Sequence, residues 1–554
     1  MSQPPQGDGG SRRNAKGRQE RTQGPGSYAG DAGKRPNGNR GARPQGPGQS
    51  DGRQGDGRQY SRSAPSQRSR KADPARLASF RVLRAVSRDD AYANLVLPAE
   101  IRRARLDRRD AGFATELTYG ALRAQGTYDA VLARCVDRPL DQLDPPILDA
   151  LRLGAHQLLA MRVNTHAAVN ETVGLVRAEI GAGPSGFVNA VLRRVSEKTM
   201  EQWLSEISSA EEPGSDAALA LQHAHPAWVV RALKQSLRLY GRGEELEELL
   251  AADNAAPEIH LVELPGVRER RLVSAAEAGA AVSELIEDAA VFRGGDVGRL
   301  AGVPEGELRV QDIGSQWIAR ALAGAWTPET TDPDVAGERW LDLCAGPGGK
   351  AALLAALAAQ HEATLLANEP APHRAELVSK ALSPVPSEAW TVRTGDGRSI
   401  AETGESFDRI LIDAPCTGFG ALRRRPESRW RRKPADLAEL TVLQEELLDA
   451  GAGVLAPGGI MAYVTCSPHI AETLVQVEDV LRRHPELQLL DAHEAMAGVA
   501  LPQGAELISP AAQDPGQKRE DISSKLVQLW PHVHGTDAMF FALLWKPRRP
   551  AERQ

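Results

Sequence analysis

The stretch RWLDLCAGPGGKAALLAALAAQ, residues 339–360, decides the fold. Arg339 to Cys344 read as a short apolar strand. Cys344, Ala345, Gly346, Pro347, Gly348, Gly349 and Lys350 then form a glycine-rich turn that opens an Ala/Leu helix. In such a turn the missing side chains let a ligand approach the backbone, and amide groups at the helix start point outward. Phosphate-loop and dinucleotide readings fit poorly, because neither G-x-x-x-x-G-K-[ST] nor G-x-G-x-x-G is present. Taken alone the turn is weak evidence, since any tight strand-to-helix connection has a similar composition.

Working outward, the same alternation runs through about 310–548. ATLLAN, FDRILID and GIMAYVT read as further strands, with helices between them. The longest of these helices carries Leu437, Leu440, Leu443 and Leu447 on one face and is expected to close at Pro457-Gly458-Gly459. Alternating strands and helices imply a mostly parallel, Rossmann-like sheet covered on both faces. Ligands in such sheets sit beyond the carboxyl ends of the strands. There the sequence supplies acids: Glu369 closes the second strand, Asp396 follows the third, and Asp413 closes the fourth. A carboxylate after the second strand suits ribose hydroxyls, and one near the third suits an adenine amino group.

Two cysteines stand at the same rim, Cys416 in DAPCTGFG and Cys466 in YVTCSPH. Thiols placed there can be exposed and stabilised as thiolates by neighbouring cations. Cys135 and Cys344 read instead as small buried hydrophobes. About fifty residues separate Cys416 from Cys466 and no C-x-x-C pair occurs, so no metal site is expected. Directly after the first of these cysteines, Arg423, Arg424, Arg425, Arg429, Arg431, Arg432 and Lys433 crowd around Trp430. That composition suits RNA phosphate contact with base stacking.

Upstream, Asp73-Pro74 is a helix start, and the pattern stays helical to about residue 200, predicting an all-α domain over 73–200. Residues 201–224 are acidic and read as a linker with one helix. Residues 225–309 read as a small mixed α/β segment in which APEIHLVEL is a strand. The first 72 residues hold 15 Lys/Arg against 5 Asp/Glu and no Leu, Ile, Val, Phe or Trp, so disorder is expected there. The net charge of the whole chain is −6, which leaves −16 on the rest. Four cysteines without an apolar leader predict a reducing, cytoplasmic setting, and no apolar run suits a membrane span. A monomer is the default expectation.

DLCAGPGGK, GDGR, DAPCTGFG, RRRPESRW and TCS occur in the order that resembles the Nol/Nop/Sun group of RNA cytosine-C5 methyltransferases. In front of it, DAYANLVLP, FATELTYGALR, LRLGAHQLLAMRVNTHAAVNETV and GFVNAVLRR resemble a NusB-like RNA-binding helical domain. With both parts in one chain, the sequence is similar to members that methylate 16S small-subunit ribosomal RNA. The resemblance implies that Cys344 to Lys350, Glu369, Asp396 and Asp413 bind S-adenosylmethionine. It also implies that Cys466 is the nucleophile, that Asp413 assists at the base, and that Cys416 aids product release. The rival assignment makes Cys416 the nucleophile. Rival functions are a transfer RNA cytosine-C5 methyltransferase and a non-catalytic RNA-binding assembly factor. One departure is TCSPHIAET, in which Glu472 keeps only the first of two acids that many members carry.

Overall fold

The computed structural model describes residues 72–266, 271–329, 337–508 and 522–548. The basic tail expected over residues 1–72 therefore lies outside the described residues except for Ala72. Order begins where the sequence signals it: Asp73 Oδ1 accepts the Arg76 amide at 2.9 Å, and Pro74 occupies the first turn of helix Pro74–Asp89. Seven α-helices between Pro74 and Val195 enclose one core, with Val82, Leu117, Leu132, Leu151 and Leu192 fully buried.

The linker expected over 201–224 is not one. Residues there fold into parts of helices Met200–Ile207 and Asp216–Gln222, and Trp203 and Ile207 pack into the helical core. Acidic surface residues masked this small apolar stripe. Helices Ala227–Leu239 and Leu246–Asp253 follow and share a buried cluster with Phe419, Leu422 and Trp530.

Four short strands come next: β1 (Ile259–Glu263), β2 (Ala280–Val282), β3 (Ala289–Phe292) and β4 (Leu308–Val310). They form an antiparallel sheet in the order β2-β3-β1-β4.

The larger sheet contains β5 (Arg339–Asp342), β6 (Thr364–Glu369), β7 (Trp390–Thr394), β8 (Phe407–Asp413), β9 (Leu455–Thr465), β10 (Gln488–Leu490), β11 (Val527–Gln528) and β12 (Phe540–Trp545). Its order is β10-β12-β9-β8-β5-β6-β7, with β11 also paired to β12. Strands β5 to β9 are mutually parallel, while β12 and β10 run antiparallel at one side. Side chains alternate across the sheet. Leu411, Ala462 and Val464 face helices Ile313–Gly324 and Gly349–Gln360, whereas Ile410, Ile412 and Met461 face helices Pro434–Val454 and Leu474–Arg483.

Pro457-Gly458-Gly459 does not close the long helix as expected. That helix ends at Val454, and the three residues lie inside β9, opposite a register shift between Phe407 and Arg409. Gly458 there has φ +89, so the turn-forming residues bulge the strand. The buried stripe of the helix runs through Gln444, Leu447, Leu448 and Gly451, while Leu437, Leu440 and Leu443 are half-buried. Among the described residues no helix is long and apolar enough to cross a membrane.

Candidate active site

The chain leaves β5, visits β6 and β7, and returns to β8 on the other side of β5. This reversal opens a crevice beyond the carboxyl ends of β5 and β8, and the glycine-rich turn lies there. Gly346 has φ +57 and Gly348 φ +90, left-handed values that a side chain disfavours. A Cβ on Gly348 would stand 2.6 Å from Ala381 Cβ, so the turn packs directly on helix Pro372–Leu382. At Gly349 a Cβ would meet nothing within 4 Å, which leaves the backbone at the helix start uncovered.

Acids surround this turn. Glu369 is buried at the end of β6, accepts the Ala371 amide at 3.1 Å and lies 3.3 Å from the Arg374 guanidinium. Asp396 accepts the Arg398 amide at 3.0 Å and pairs with its guanidinium, which holds its carboxyl below the usual range. Asp413 receives Lys350 Nζ at 2.8 Å. Burial opposes the Lys350 charge, but Asp413 and Cys466 outweigh it and raise the ammonium pKa. Asp342, at the end of β5, is a site residue the sequence reading passed over. Burial, reinforced by Asp413, pushes its carboxyl up to about 7. The available signal was a lone acid closing an apolar strand.

The two rim cysteines meet. Cys416 follows β8, Cys466 follows β9, and their sulfurs are 3.4 Å apart. The Gly420 amide donates to the Cys466 carbonyl at 2.8 Å, which ties one loop to the other. The hydrogen bond to Cys466, then burial, push the Cys416 thiol well up, while the same hydrogen bond holds Cys466 below its ordinary value. Burial and Asp413 oppose the Cys466 thiolate; Lys350 and Arg425 support it. The two shifts run in opposite directions, Cys416 towards the thiol and Cys466 towards the thiolate. Burial, then Asp342, Asp413 and Glu369, push Cys344 well above the ordinary thiol value, which disfavours its thiolate.

The arginine-rich segment is mostly not an exposed RNA surface. Arg423 is buried against Asp537, and Arg424 bonds Asp312 at 2.6 Å and Asp537 at 3.0 Å. Arg429 is fully buried and donates to the carbonyls of Arg123, Ala224 and Asp253 and to Asn254 Oδ1. Trp430 packs so closely on Gly126 that a Cβ there would stand 2.2 Å from its ring. Arg431 donates to the Val86 and Ala91 carbonyls. Arg429, Trp430 and Arg431 thus join the helical part to the catalytic part, while Arg423 and Arg424 are tied to Asp312 and Asp537, and a guanidinium buried on protein acceptors is withdrawn from phosphate. Arg425 is exposed, 4.9 Å from the Tyr92 ring centre, and Arg432 is half-buried.

A parallel sheet with this reversal, a glycine-rich turn after its first strand and acids after the next three frame a site for a nucleoside-bearing cofactor, and the family match makes it that of an S-adenosylmethionine-dependent methyltransferase. Residues 331–545 match the family model for 16S rRNA methyltransferase RsmB/F, and residues 73–197 match the NusB family. The chain belongs to the RsmB/F methyltransferase family, with a NusB-like region in front of the catalytic one. A protein of Mycobacterium tuberculosis named as a methyltransferase is 46% identical over 477 residues, covering 86% of this chain and 97% of the relative. Ribosomal RNA small subunit methyltransferase B of Pseudomonas putida is 33% identical, covering 78% and 94%. In fold, the crystal structure of PH0851 aligns with a TM-score of 0.67 at 21% identity, covering 86% of this chain and all of that one.

The residues present fit the methyl donor. An uncovered glycine turn accommodates a close ligand, and carboxylates with spare lone pairs can take hydroxyl and amino donors. When bound, S-adenosylmethionine supplies an electrophilic methyl group on its sulfonium.

Proposed function

We propose that the chain methylates C5 of a cytosine in small-subunit ribosomal RNA, with Cys466 as the nucleophile. The observation that carries this reading is the Cys416–Cys466 pair, 3.4 Å apart beside the Lys350–Asp413 ion pair and the glycine-rich turn. Cytosine C5 is a weak nucleophile until a thiolate adds to C6. The Cys466 sulfur bonds C6 as the C5=C6 double bond opens, and the Lys350–Asp413 pair supplies the proton that N3 takes up. After C5 is methylated, its remaining proton passes to solvent. The C6–S bond then breaks, and N3 returns its proton to the pair. The Cys416 thiol, within hydrogen-bond reach of Cys466, stabilises the departing thiolate. Glu369, Asp396 and residues Cys344 to Lys350 hold the methyl donor. Arg425, with Arg432 beside the joint, is left to meet RNA as the target base unstacks.

The test is transfer of labelled methyl from S-adenosylmethionine to unmodified small-subunit ribosomal RNA and to transfer RNA. Label is expected in 5-methylcytidine of the ribosomal RNA, lost in Cys466→Ala, with a covalent protein–RNA adduct accumulating in Cys416→Ala. Adduct lost only in Cys416→Ala would reverse the two thiols, label in transfer RNA alone would move the substrate, and no label at all would leave an assembly role.

A further inference from the structure

We propose that Glu472 is the positioning residue that sets the two thiols at their working distance, an inference that rests on the two-cysteine reading above. Glu472 is fully buried in the turn after Cys466, and its carboxylate takes four hydrogen bonds. Oε1 accepts the Thr417 amide at 2.8 Å and Gln444 Nε2 at 3.2 Å. Oε2 accepts the Thr417 hydroxyl at 2.6 Å and the Ser467 hydroxyl at 2.6 Å. Thr417 directly follows Cys416, and Ser467 directly follows Cys466. A single carboxylate thus holds the neighbour of each sulfur, and Thr417 Oγ1 and Ser467 Oγ are themselves 3.0 Å apart.

The clamp is anchored from behind. Gln444 Nε2 also donates to the Pro415 carbonyl at 2.8 Å, so helix Pro434–Val454 fixes the Cys416 loop and Glu472 together. Tyr463 Oη donates to the Glu472 carbonyl at 2.8 Å, which fixes the residue to β9. Every group facing the carboxylate is a donor, so only an acceptor with full lone-pair capacity satisfies them all. A glutamine has one acceptor oxygen and would turn an amide N–H₂ toward donors. Charge matters as well as shape. The hydrogen bond to Cys466, burial and the Cys466 charge push the Cys416 thiol up, and the Glu472 charge adds to them. Glu472 thereby adds to the bias that leaves the proton with Cys416 rather than with Cys466. The other charges on the pair are Lys350, Asp413 and Arg425. The sequence TCSPHIAET carries one acid in this turn, and the structure gives that acid its work.

The experiment uses the full chain with S-adenosylmethionine bound and compares wild type with Glu472→Gln, Thr417→Val and Ser467→Ala. Iodoacetamide alkylation of Cys416 and Cys466 is followed by peptide mass spectrometry from pH 5 to pH 10, with kcat, KM for RNA and donor affinity measured alongside. Wild type is expected to alkylate Cys466 first. In Glu472→Gln that preference is expected to fall about tenfold, the Cys466 limb moving to higher pH and the Cys416 limb to lower. kcat is expected to drop about a hundredfold with KM and donor affinity little changed, as for a reacting group displaced by a fraction of an ångström. Thr417→Val and Ser467→Ala each remove one leg and are expected to fall between, which serves if Glu472→Gln does not fold. Unchanged alkylation preference in all three variants would overturn the proposal, as would a kcat loss matched by equal loss of donor affinity and melting temperature. If wild type labels no RNA, the two-cysteine function fails, while the alkylation preference still decides the role of Glu472.

Discussion

Lys350 touches Asp413 and acts on Cys466 from the same position, so one side chain links the donor turn to the thiol. Removing its charge leaves the Cys466 thiolate with Arg425 and the Cys416 hydrogen bond as its remaining support. Lys350→Met is therefore expected to move the pH limb of Cys466 alkylation upward, by about one pH unit or more for the loss of a close cation. Mass-spectrometric alkylation rates check this. Asp342 gives a second prediction, in stability. Its folded pKa of about 7 lies above its ordinary 3.8, so between these values the folded chain keeps a proton that the unfolded chain has lost. Stability carried by this group is fully present below about pH 4 and falls as pH rises towards about 7. Asp342→Asn removes that dependence. The wild-type-minus-variant stability from urea titrations is expected to decline from pH 4 to pH 7 and then level off.

Strand ends, at the next scale, were the legible part of the sequence. Glu369 and Asp413 close β6 and β8, and Asp396 follows β7 as read, because apolar runs halted by an acid leave little choice of register. The turn at Cys344 to Lys350 was legible for the same reason: only glycine tolerates its backbone. Gly348→Ala joins a left-handed φ of +90 to a Cβ 2.6 Å from Ala381 and 3.1 Å from the Val378 Cα. Backbone strain of this kind costs about 1–3 kcal/mol. Helix Gly349–Gln360 would have to shift away from helix Pro372–Leu382. The variant is expected to melt lower and to bind S-adenosylmethionine more weakly, measured by calorimetry, while alkylation of Cys466 continues. Less legible was the segment from Arg423 to Arg432. A run of arginines around a tryptophan has the same composition whether it meets phosphates or carbonyls, and only long-range contacts separate the two. The same holds for Glu472, whose partners Thr417 and Gln444 are distant in sequence.

Across the whole molecule, one ten-residue segment unites the helical and catalytic parts. Glu427 Oε1 accepts the Ala93 amide at 3.1 Å, capping helix Ala93–Ala104 from 334 residues away, where Tyr92 supplies no side-chain cap. Burial lowers the Arg429 pKa to about 10, and Asp253 and Glu427 act against the loss of its charge. Arg429→Met would leave four oxygens without this donor and the buried Asp253 without the cation that acts on it most strongly. Leaving a buried acceptor without its donor typically costs about 1–3 kcal/mol. The single melting transition is expected to drop or to split in two by scanning calorimetry, the helical part unfolding separately from the sheet. The joint also has a consequence in time. The Arg123 carbonyl is 306 residues ahead of the guanidinium that binds it, and the Ala93 amide is further still from Glu427. At synthesis rates of about 5–20 residues per second, the helical part emerges about 15–60 s before its partner segment exists. During that interval the helix start at Ala93 and the Gly126 backbone lack the Glu427 and Trp430 side chains that later cover them. The Cys416 loop, a few residues before the joint, acquires its final seat only after residue 538 has been made, because the Gly420 carbonyl accepts the Ala538 amide at 2.8 Å.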